Sequence, residues 1–467
     1  MSKEKVTTQS WGDLLKGRNS LKSIALAGGV ALHAINIYVV TTILPTVISE
    51  IGGLEFYAWN TTLFVIASIV GSALATKLIE GTNPRAAYLI ALAIFSLGSI
   101  MCAMATSMPF LLLGRSVQGV GGGILFALSY ALIRIVFKES LWSRAMALVS
   151  AMWGIATLIG PAVGGVFAQM GNWRLAFWVL LPVALILTII VISQFKFAKE
   201  ERKSTQKVPL LCIGFLVLSV LSISAGSLSQ RLELNISGIV VGLLFAVLIA
   251  KIDNKAKSKL LPTGAYSLST QLGVLYGLMC LFLVALTTEI YVPYFLQIIN
   301  NFSPLTAGYM AAMMAGGWTI AAIFSAGCNE HAIYKLIRFS PLVILIALIL
   351  LAVLTPQATW SESTSGIIVY CVALAAVGFG IGLAWPHILT RVFSAANKGE
   401  ETLASSSITT IQLYATAFAS ALAGIVVNSG GFTSPGGVEG ARSASLFLFG
   451  IFAIAPVSAL FLAKKIK

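Results

Sequence analysis

Residues 109–136 read PFLLLGRSVQGVGGGILFALSYALIRIV, and within this stretch only Arg115 and the terminal Arg134 carry charge. A helix of this length crosses a hydrocarbon core of about 30 Å. Arg115 lies in its outer third, three residues from Gln118 and therefore on the same helical face. A guanidinium at that depth must face protein or water and find an acceptor. Gly119, Gly121, Gly122 and Gly123 follow, and their missing side chains let a neighbouring helix approach closely. The segment reads as a membrane helix buried among others. A purely structural arginine, satisfied by backbone carbonyls, is the alternative to a functional one.

The rest of the chain agrees with that reading. Of its 467 residues, 58% are hydrophobic and only 10% charged, against about 25% charged in an ordinary soluble domain. Fourteen apolar spans fall near 24–48, 57–78, 86–106, 109–136, 145–169, 174–194, 208–228, 235–251, 268–298, 305–327, 339–356, 364–391, 403–428 and 443–463. All must be helical, because an isolated strand leaves backbone groups unpaired in lipid. Alternate connections differ sharply in charge. One set holds nearly every Lys and Arg, and the other holds only Arg174, Arg231 and Arg442. That asymmetry predicts a multi-pass protein with both termini cytoplasmic. The net charge of +14 then reflects topology and attraction to anionic inner-leaflet lipid, with no nucleic-acid partner required.

The five cysteines, at 102, 212, 280, 328 and 371, stand singly. They offer no metal-ligand spacing and no disulfide framework. Residues 1–22 form a polar segment without a cleavage site, in which 11–17 (WGDLLKG) suits the cytoplasmic interface. Residues 23–194 form a first group of six spans. Residues 195–262 supply basic linkers around two inserted spans, and 263–467 supply six more. The ends of the second and tenth spans (GSALATKLIEGTNPR, 71–85; SAGCNEHAIYKLIR, 325–338) repeat a small-then-basic pattern that supports this division. The Gly-rich segment 429–442 reads as a flexible outward loop.

Glu289 is the one acidic residue well inside a span; the other fifteen of 16 Asp plus Glu lie at span ends or in loops. A carboxylate in hydrocarbon costs about 2.5–3.5 kcal/mol on insertion scales, so it marks a candidate for proton or ion handling. Hydrocarbon disfavours its charged form and a nearby guanidinium favours it. Arg115 and Glu289 both fall in the outer half of their spans, a depth compatible with a pair. His33 and His387 are the other intramembrane titratable groups, nearer the cytoplasmic side. His33 suits a proton relay or a satisfied structural position. His387, after Trp385 and Pro386, suits gating, substrate contact or a structural position.

Residues 154–165 (GIATLIGPAVGG) place Gly160, Pro161, Gly164 and Gly165 in the fifth span. Proline frees a carbonyl four residues back and the glycines permit bending and tight packing, so this helix reads as a hinge or a simple kink.

Together, Arg115 with its following SVQG and glycines, and Gly160 with its PAVGG, resemble the fourth- and fifth-helix signatures of the major facilitator superfamily, the latter of its antiporter branch. Residues 172–182 (NWRLAFWVLLP) resemble the start of that family's sixth helix. Residues 35–45 (INIYVVTTILP) and 294–308 (YFLQIINNFSPLTAG) resemble segments of its fourteen-span drug:proton antiporters. The resemblance implies an all-α polytopic fold of two six-helix bundles plus two inserted helices, rocking around a central cavity. It places spans one, four, nine and twelve on that cavity, and these carry His33, Arg115, Glu289 and His387. Two departures stand out: Ala75 or Thr76 occupies the place of an acid in the loop motif after span two, and Asn36 that of an acid in span one.

The expected function is a proton-coupled antiporter that exports small amphiphilic organic molecules across a bacterial inner membrane. It would work as a monomer, with the proton gradient as energy source and no cofactor or metal. Glu289, Arg115 and His33 are the coupling candidates. Asn36, Tyr38, Thr41, Gln118, Tyr291, Trp385, His387 and Gln412 are wall candidates, with Trp59, Asn60, Gln297, Trp318 and Tyr414 beside them; such aromatic and amide walls suit amphiphiles. A siderophore or other anionic metabolite is the alternative cargo, and import is the less favoured direction. An enzyme would need a nucleophile–base pair or a metal motif that the chain lacks.

Overall fold

The computed structural model describes residues 11–195, 209–256 and 258–466. Most of the basic linker between the sixth and seventh spans lies outside the described residues. Among the described residues fourteen helices are long and apolar enough to cross a membrane: spans 1 to 6 are Asn19–Ile51, Leu54–Gly81, Pro84–Ala103, Met108–Ala131, Arg144–Gln169 and Leu175–Gln194. Spans 7 and 8 are Leu210–Ser227 and Leu232–Lys255. Spans 9 to 14 are Gln271–Asn300, Pro304–Ser325, Glu330–Leu354, Thr364–Ala395, Leu403–Ser429 and Gly437–Ala463. With an even number of spans, both ends of the chain share one face, here the terminal face; the other is the far face.

Five of the spans start at a residue whose side chain caps them. Asn83, Thr270, Ser303, Asn329 and Ser363 each accept a backbone N–H from the first turn, which satisfies donors the helix itself leaves unpaired. Asn329 therefore launches span 11 at Glu330, nine residues before the apolar run, and its first turns project beyond the hydrocarbon. Span 8 is likewise longer at both ends than hydropathy suggests.

Span 9 departs from a single helix. It runs as Gln271–Thr287, a 3-10 turn at Thr288–Tyr291, and a second helix at Val292–Asn300. Pro293 has no N–H, and its ring would clash with the carbonyl four residues back, that of Glu289. That carbonyl instead takes the tighter bond from Val292 N–H. At the start of the chain a short helix, Trp11–Leu15, buries Leu14 in the first bundle's core, and Leu14 O accepts the Ser23 hydroxyl at 3.1 Å.

The two bundles repeat one packing device. The glycine face of span 4 lies on spans 2 and 3: a Cβ at Gly121 would stand 2.7 Å from Phe95 Cα, and one at Gly123 would stand 2.5 Å from Ser68 Cα. In the second bundle Gly378 and Gly382 of span 12 meet span 10 in the same way, at Met314 and Trp318. The Ser68 hydroxyl crosses to Gly119 O at 3.1 Å. Backbones this close leave no room for any side chain. Spans 7 and 8 form a hairpin against spans 2 and 13. The segment from 258 into span 9 is latched by Glu400, whose carboxylate accepts Thr263 N–H at 3.0 Å and the Thr263 hydroxyl at 2.7 Å. Partial burial opposes its ionisation, but these bonds and the Lys259 charge outweigh that and hold the carboxyl below its usual range.

Gly121→Ala should overpack the contact with span 3 and cost about 1–3 kcal/mol. A fall in the thermal unfolding midpoint of the detergent-solubilised protein, measured by tryptophan fluorescence, checks this.

Candidate functional site

The two bundles touch in the far half of the membrane. Tyr57, at the start of span 2, stacks on Tyr291 of span 9 with centroids 4.7 Å apart and meets Tyr294 and Phe432 edge-on at 5.5 and 5.6 Å. Its hydroxyl donates to Ile290 O at 3.2 Å. Ser420 of span 13 donates to Ala58 O at 3.2 Å. Across the opposite seam, Tyr309 of span 10 donates to Leu158 O of span 5 at 3.2 Å. Toward the terminal face no hydrogen bond joins spans 5 and 10 among the described residues. Gly154 and Gly316 have no heavy atom within 4 Å of a built Cβ, and Met146 and Ile323 are exposed. The arrangement is closed on the far face.

The proline–glycine stretch of span 5 lies at this joint. Gly164 packs on Val39 O and Thr42 of span 1, Gly165 packs on Leu305 of span 10, and Gly308 meets both Thr42 and Pro161. Gly160 fits against Tyr38. These residues are thus the bearing surface between span 1 and the second bundle.

Arg115 is 2% exposed and has partners within its own bundle. Its Nη1 donates to Gln118 Oε1 at 2.6 Å and its Nε to Asn60 O at 3.4 Å, while the guanidinium lies 4.2 Å from the Phe64 ring centroid. Gln118 in turn donates to the Ser99 hydroxyl at 2.8 Å. The cation ties spans 2, 3 and 4 together. Among the described residues no ion pair joins it to Glu289, although the depth of the two residues is compatible with one; the acceptors nearest the guanidinium are on its own bundle.

Glu289 lies in the 3-10 turn of span 9, and its Oε1 is buried without a hydrogen-bond partner. The Tyr38 hydroxyl of span 1 lies within its electrostatic reach. His33 is 1% exposed, with ring centroids 5.2 Å from Phe64 and Phe126 and 6.1 Å from Trp153. Neither of its nitrogens has a partner, and neither does the amide of Asn36 one turn along. A Cβ on Gly122 would come 3.0 Å from His33 Nδ1, so the glycine face of span 4 is what admits the imidazole.

The remaining candidates scatter. Tyr291 is part of the far-side closure. Trp385 packs edge-on to Trp318 at 5.0 Å. Thr41 returns its hydroxyl to Ile37 O of its own helix at 2.9 Å, and Gln412 is half-buried on span 13. His387 is near the terminal face with Nε2 unpartnered. One turn on, Arg391 pairs with Glu330 at 2.9 Å and lies over Tyr334 at 4.1 Å. At the corresponding place in the first bundle Ala75 is buried, and among the described residues neither Lys77 nor Arg85 forms an ion pair. Tyr414 is turned away from the centre and bonded to Ser219 of span 7 at 3.0 Å.

The closure itself contains residues that the sequence left unremarked. Tyr57 and Ile290 were unmarked, and Phe432 belongs to the Gly-rich loop expected to be flexible. That loop is turned inward instead: Gly431, with φ of 97°, allows a tight reversal after span 13, and Phe432 N–H reaches back to Val427 O at 3.1 Å. Its one available signal was an aromatic residue among glycines.

Four similarities bear on this arrangement. Residues 26–435 match the family model for the Major Facilitator Superfamily. A protein of Mycobacterium tuberculosis (strain H37Rv) named a "probable multidrug-efflux transporter" is 37% identical over 461 residues, 97% of this chain and 96% of its own. The multidrug efflux pump SdrM of Staphylococcus aureus (strain N315) is 26% identical over 76% of this chain and 78% of its own. A solved POT family transporter, in complex with a thioalcohol-conjugated peptide, shares the fold with a TM-score of 0.67 at 13% identity, over 96% of each chain.

Removing the Tyr57 ring should loosen the closure. With Thr41→Cys as reporter, Tyr57→Ala should raise its labelling by a membrane-impermeant maleimide from the far face several-fold; equal rates would show that the ring does not seal that side.

Proposed function

This chain belongs to the major facilitator superfamily and is a membrane transporter, not an enzyme; we propose that it is a proton-coupled exporter of small amphiphilic organic molecules. The observation that carries this reading is the turn at 288–291. One residue of it, Glu289, is the carboxylate within the span, and the next two provide Ile290 O and the Tyr291 ring to the far-side closure. Anything that changes the charge on Glu289 acts on the same turn that holds the closure shut.

The chemistry follows from burial. An ionised carboxylate without a partner is costly in a dry interior. Where water is kept from it, the protonated form of Glu289 is favoured. Where water or a cargo group reaches it, the ion is stabilised and the proton leaves. Coupling then needs only that cargo and proton compete for this position as the bundles rock about the Gly160–Gly165 bearing. His33 and Asn36, one turn apart on span 1 and both without partners, are the next polar groups along that helix toward the terminal face.

Export is the direction suggested by the efflux names of the relatives, and the basic loops favour a terminal face in the cytoplasm of a bacterial inner membrane. A siderophore or other anionic cargo requires a free cation in the pathway. Arg115 is engaged by Asn60, Gln118 and the Phe64 ring, so neutral or singly cationic amphiphiles are favoured.

In proteoliposomes, Glu289→Gln should keep exchange of ethidium down its gradient while reducing pH-driven accumulation at least ten-fold. Ethidium-evoked proton release from the purified protein should disappear with it. Unchanged coupling in the variant would remove Glu289 from the mechanism.

A further inference from the structure

Spans 7 and 8 lie outside both six-helix bundles, and their contacts differ from side to side. Toward span 2 they are apolar: Leu216, Val220 and Ile223 share clusters with Phe64, Val65 and Ile69. Among the described residues no hydrogen bond joins the hairpin to residues 11–195. Toward the second bundle Ala417, Ala421 and Ile425 of span 13 join the same apolar cluster, but polar contacts run along the hairpin's length as well. Tyr414 and Ser219 share a hydrogen bond of 3.0 Å, and Asn428 Nδ2 donates to Ser227 O at 2.7 Å.

At the terminal end of span 8 stands Asp253, which is fully buried. Its carboxylate accepts the N–H groups of Leu260 and Leu261 and the Tyr266 hydroxyl, the latter two at 3.0 Å. These residues belong to the segment that leads into span 9, and the same segment is held by Glu400 between spans 12 and 13. Hydrogen bonds facing hydrocarbon have no water to replace them. Apolar contacts, by contrast, are non-directional and re-form after a slide.

We infer that spans 7 and 8, with the Asp253-bound segment behind them, move as one body with the second bundle, and that span 2 slides along span 7 when the bundles rock. The hairpin is then a wall carried on span 13 that covers the seam between spans 2 and 13. The seam between spans 5 and 10 has no such cover. The inference depends on the rocking of the bundles and is independent of which molecule or ion is carried.

Gly424 of span 13 provides the test, because it faces both sides. Its built Cβ lies 3.1 Å from Ala58 Cβ of span 2 and 3.3 Å from Ser227 Cβ of span 7, close to the Cβ separation of about 3.5–4.5 Å that a disulfide bridges. In a background with the five native cysteines replaced, the pair Ala58→Cys with Gly424→Cys ties the bundles together. The pair Ser227→Cys with Gly424→Cys ties only the proposed body. Each variant is compared with itself before and after oxidation, so a folding defect cannot imitate the result. Oxidation of the first pair should lower ethidium transport at least ten-fold, with recovery in reductant. Oxidation of the second should leave it within two-fold. Loss of transport in the second pair, or its persistence in the first, overturns the inference.

A measurement that needs no cargo stands beside it. Spin labels at Val247 of span 8 and Leu97 of span 3 should show a distance distribution that shifts between acid and neutral pH. Labels at Val247 and Ile346 of span 11 should hold one distance. Equal shifts in both pairs overturn the inference.

Discussion

Hydrocarbon offers a polar group no partner, and nearly every feature of this fold answers that constraint. Threonines inside spans return their hydroxyls to their own helix, as Thr41, Thr42 and Thr287 do. Arg115, the most expensive group in the first bundle, is met by a carbonyl, an amide and an aromatic face. Glycines bring the backbones close enough for such bonds to cross between helices, as Ser68 reaches Gly119 O. Against this background the exceptions are informative. His33, Asn36, Glu289 and His387 keep buried polar atoms unpartnered, as do Asn60, Thr62 and Ser129 in the first bundle. The first four fall on spans 1, 9 and 12, and the His33 imidazole sits against the glycine face of span 4.

The joint between the bundles is built differently from either interior. It consists of a few aromatic contacts, three hydrogen bonds and the bearing surface around Pro161. Aromatic pairs contribute about 0.5–1.5 kcal/mol each beyond their buried area. A handful of them gives a difference of a few kcal/mol between two arrangements, the range in which a ligand or a proton shifts populations. The interiors, close-packed on glycine, have no comparable freedom. Rigid bodies with a weak joint are what a rocking mechanism requires.

Several features escaped the sequence for identifiable reasons. Hydropathy reports hydrocarbon thickness, so the capped polar start of span 11 at Glu330 was invisible to it, while the caps themselves were ordinary Asn and Ser residues. Pro293 was legible as a proline, but its consequence depends on which carbonyl it opposes, and that carbonyl belongs to the carboxylate-bearing residue. Loop composition at 429–442 suggested mobility, yet one aromatic side chain with a cavity to fill overrides several glycines. Arg115 and Glu289 lie at depths compatible with a pair, but depth carries no azimuth, and two groups at one level of a bundle can face different neighbours. The same limit left Tyr414 among the candidate wall residues when its hydroxyl is bonded to span 7.

The sequence by itself determined the fourteen spans, their helical nature, the charge asymmetry of the loops and the identity of the few costly residues in hydrocarbon. Those follow from composition and period along one dimension, because lipid imposes the same demand on every span. Only the tertiary structure decided which polar groups were satisfied and which were left exposed to a pathway, which side of the joint was shut, and to which bundle the inserted helices are bonded. Each of those depends on the rotation of one helix about its own axis relative to its neighbours. That rotation is set by close packing of backbones and rings, and a linear pattern of apolar residues does not contain it.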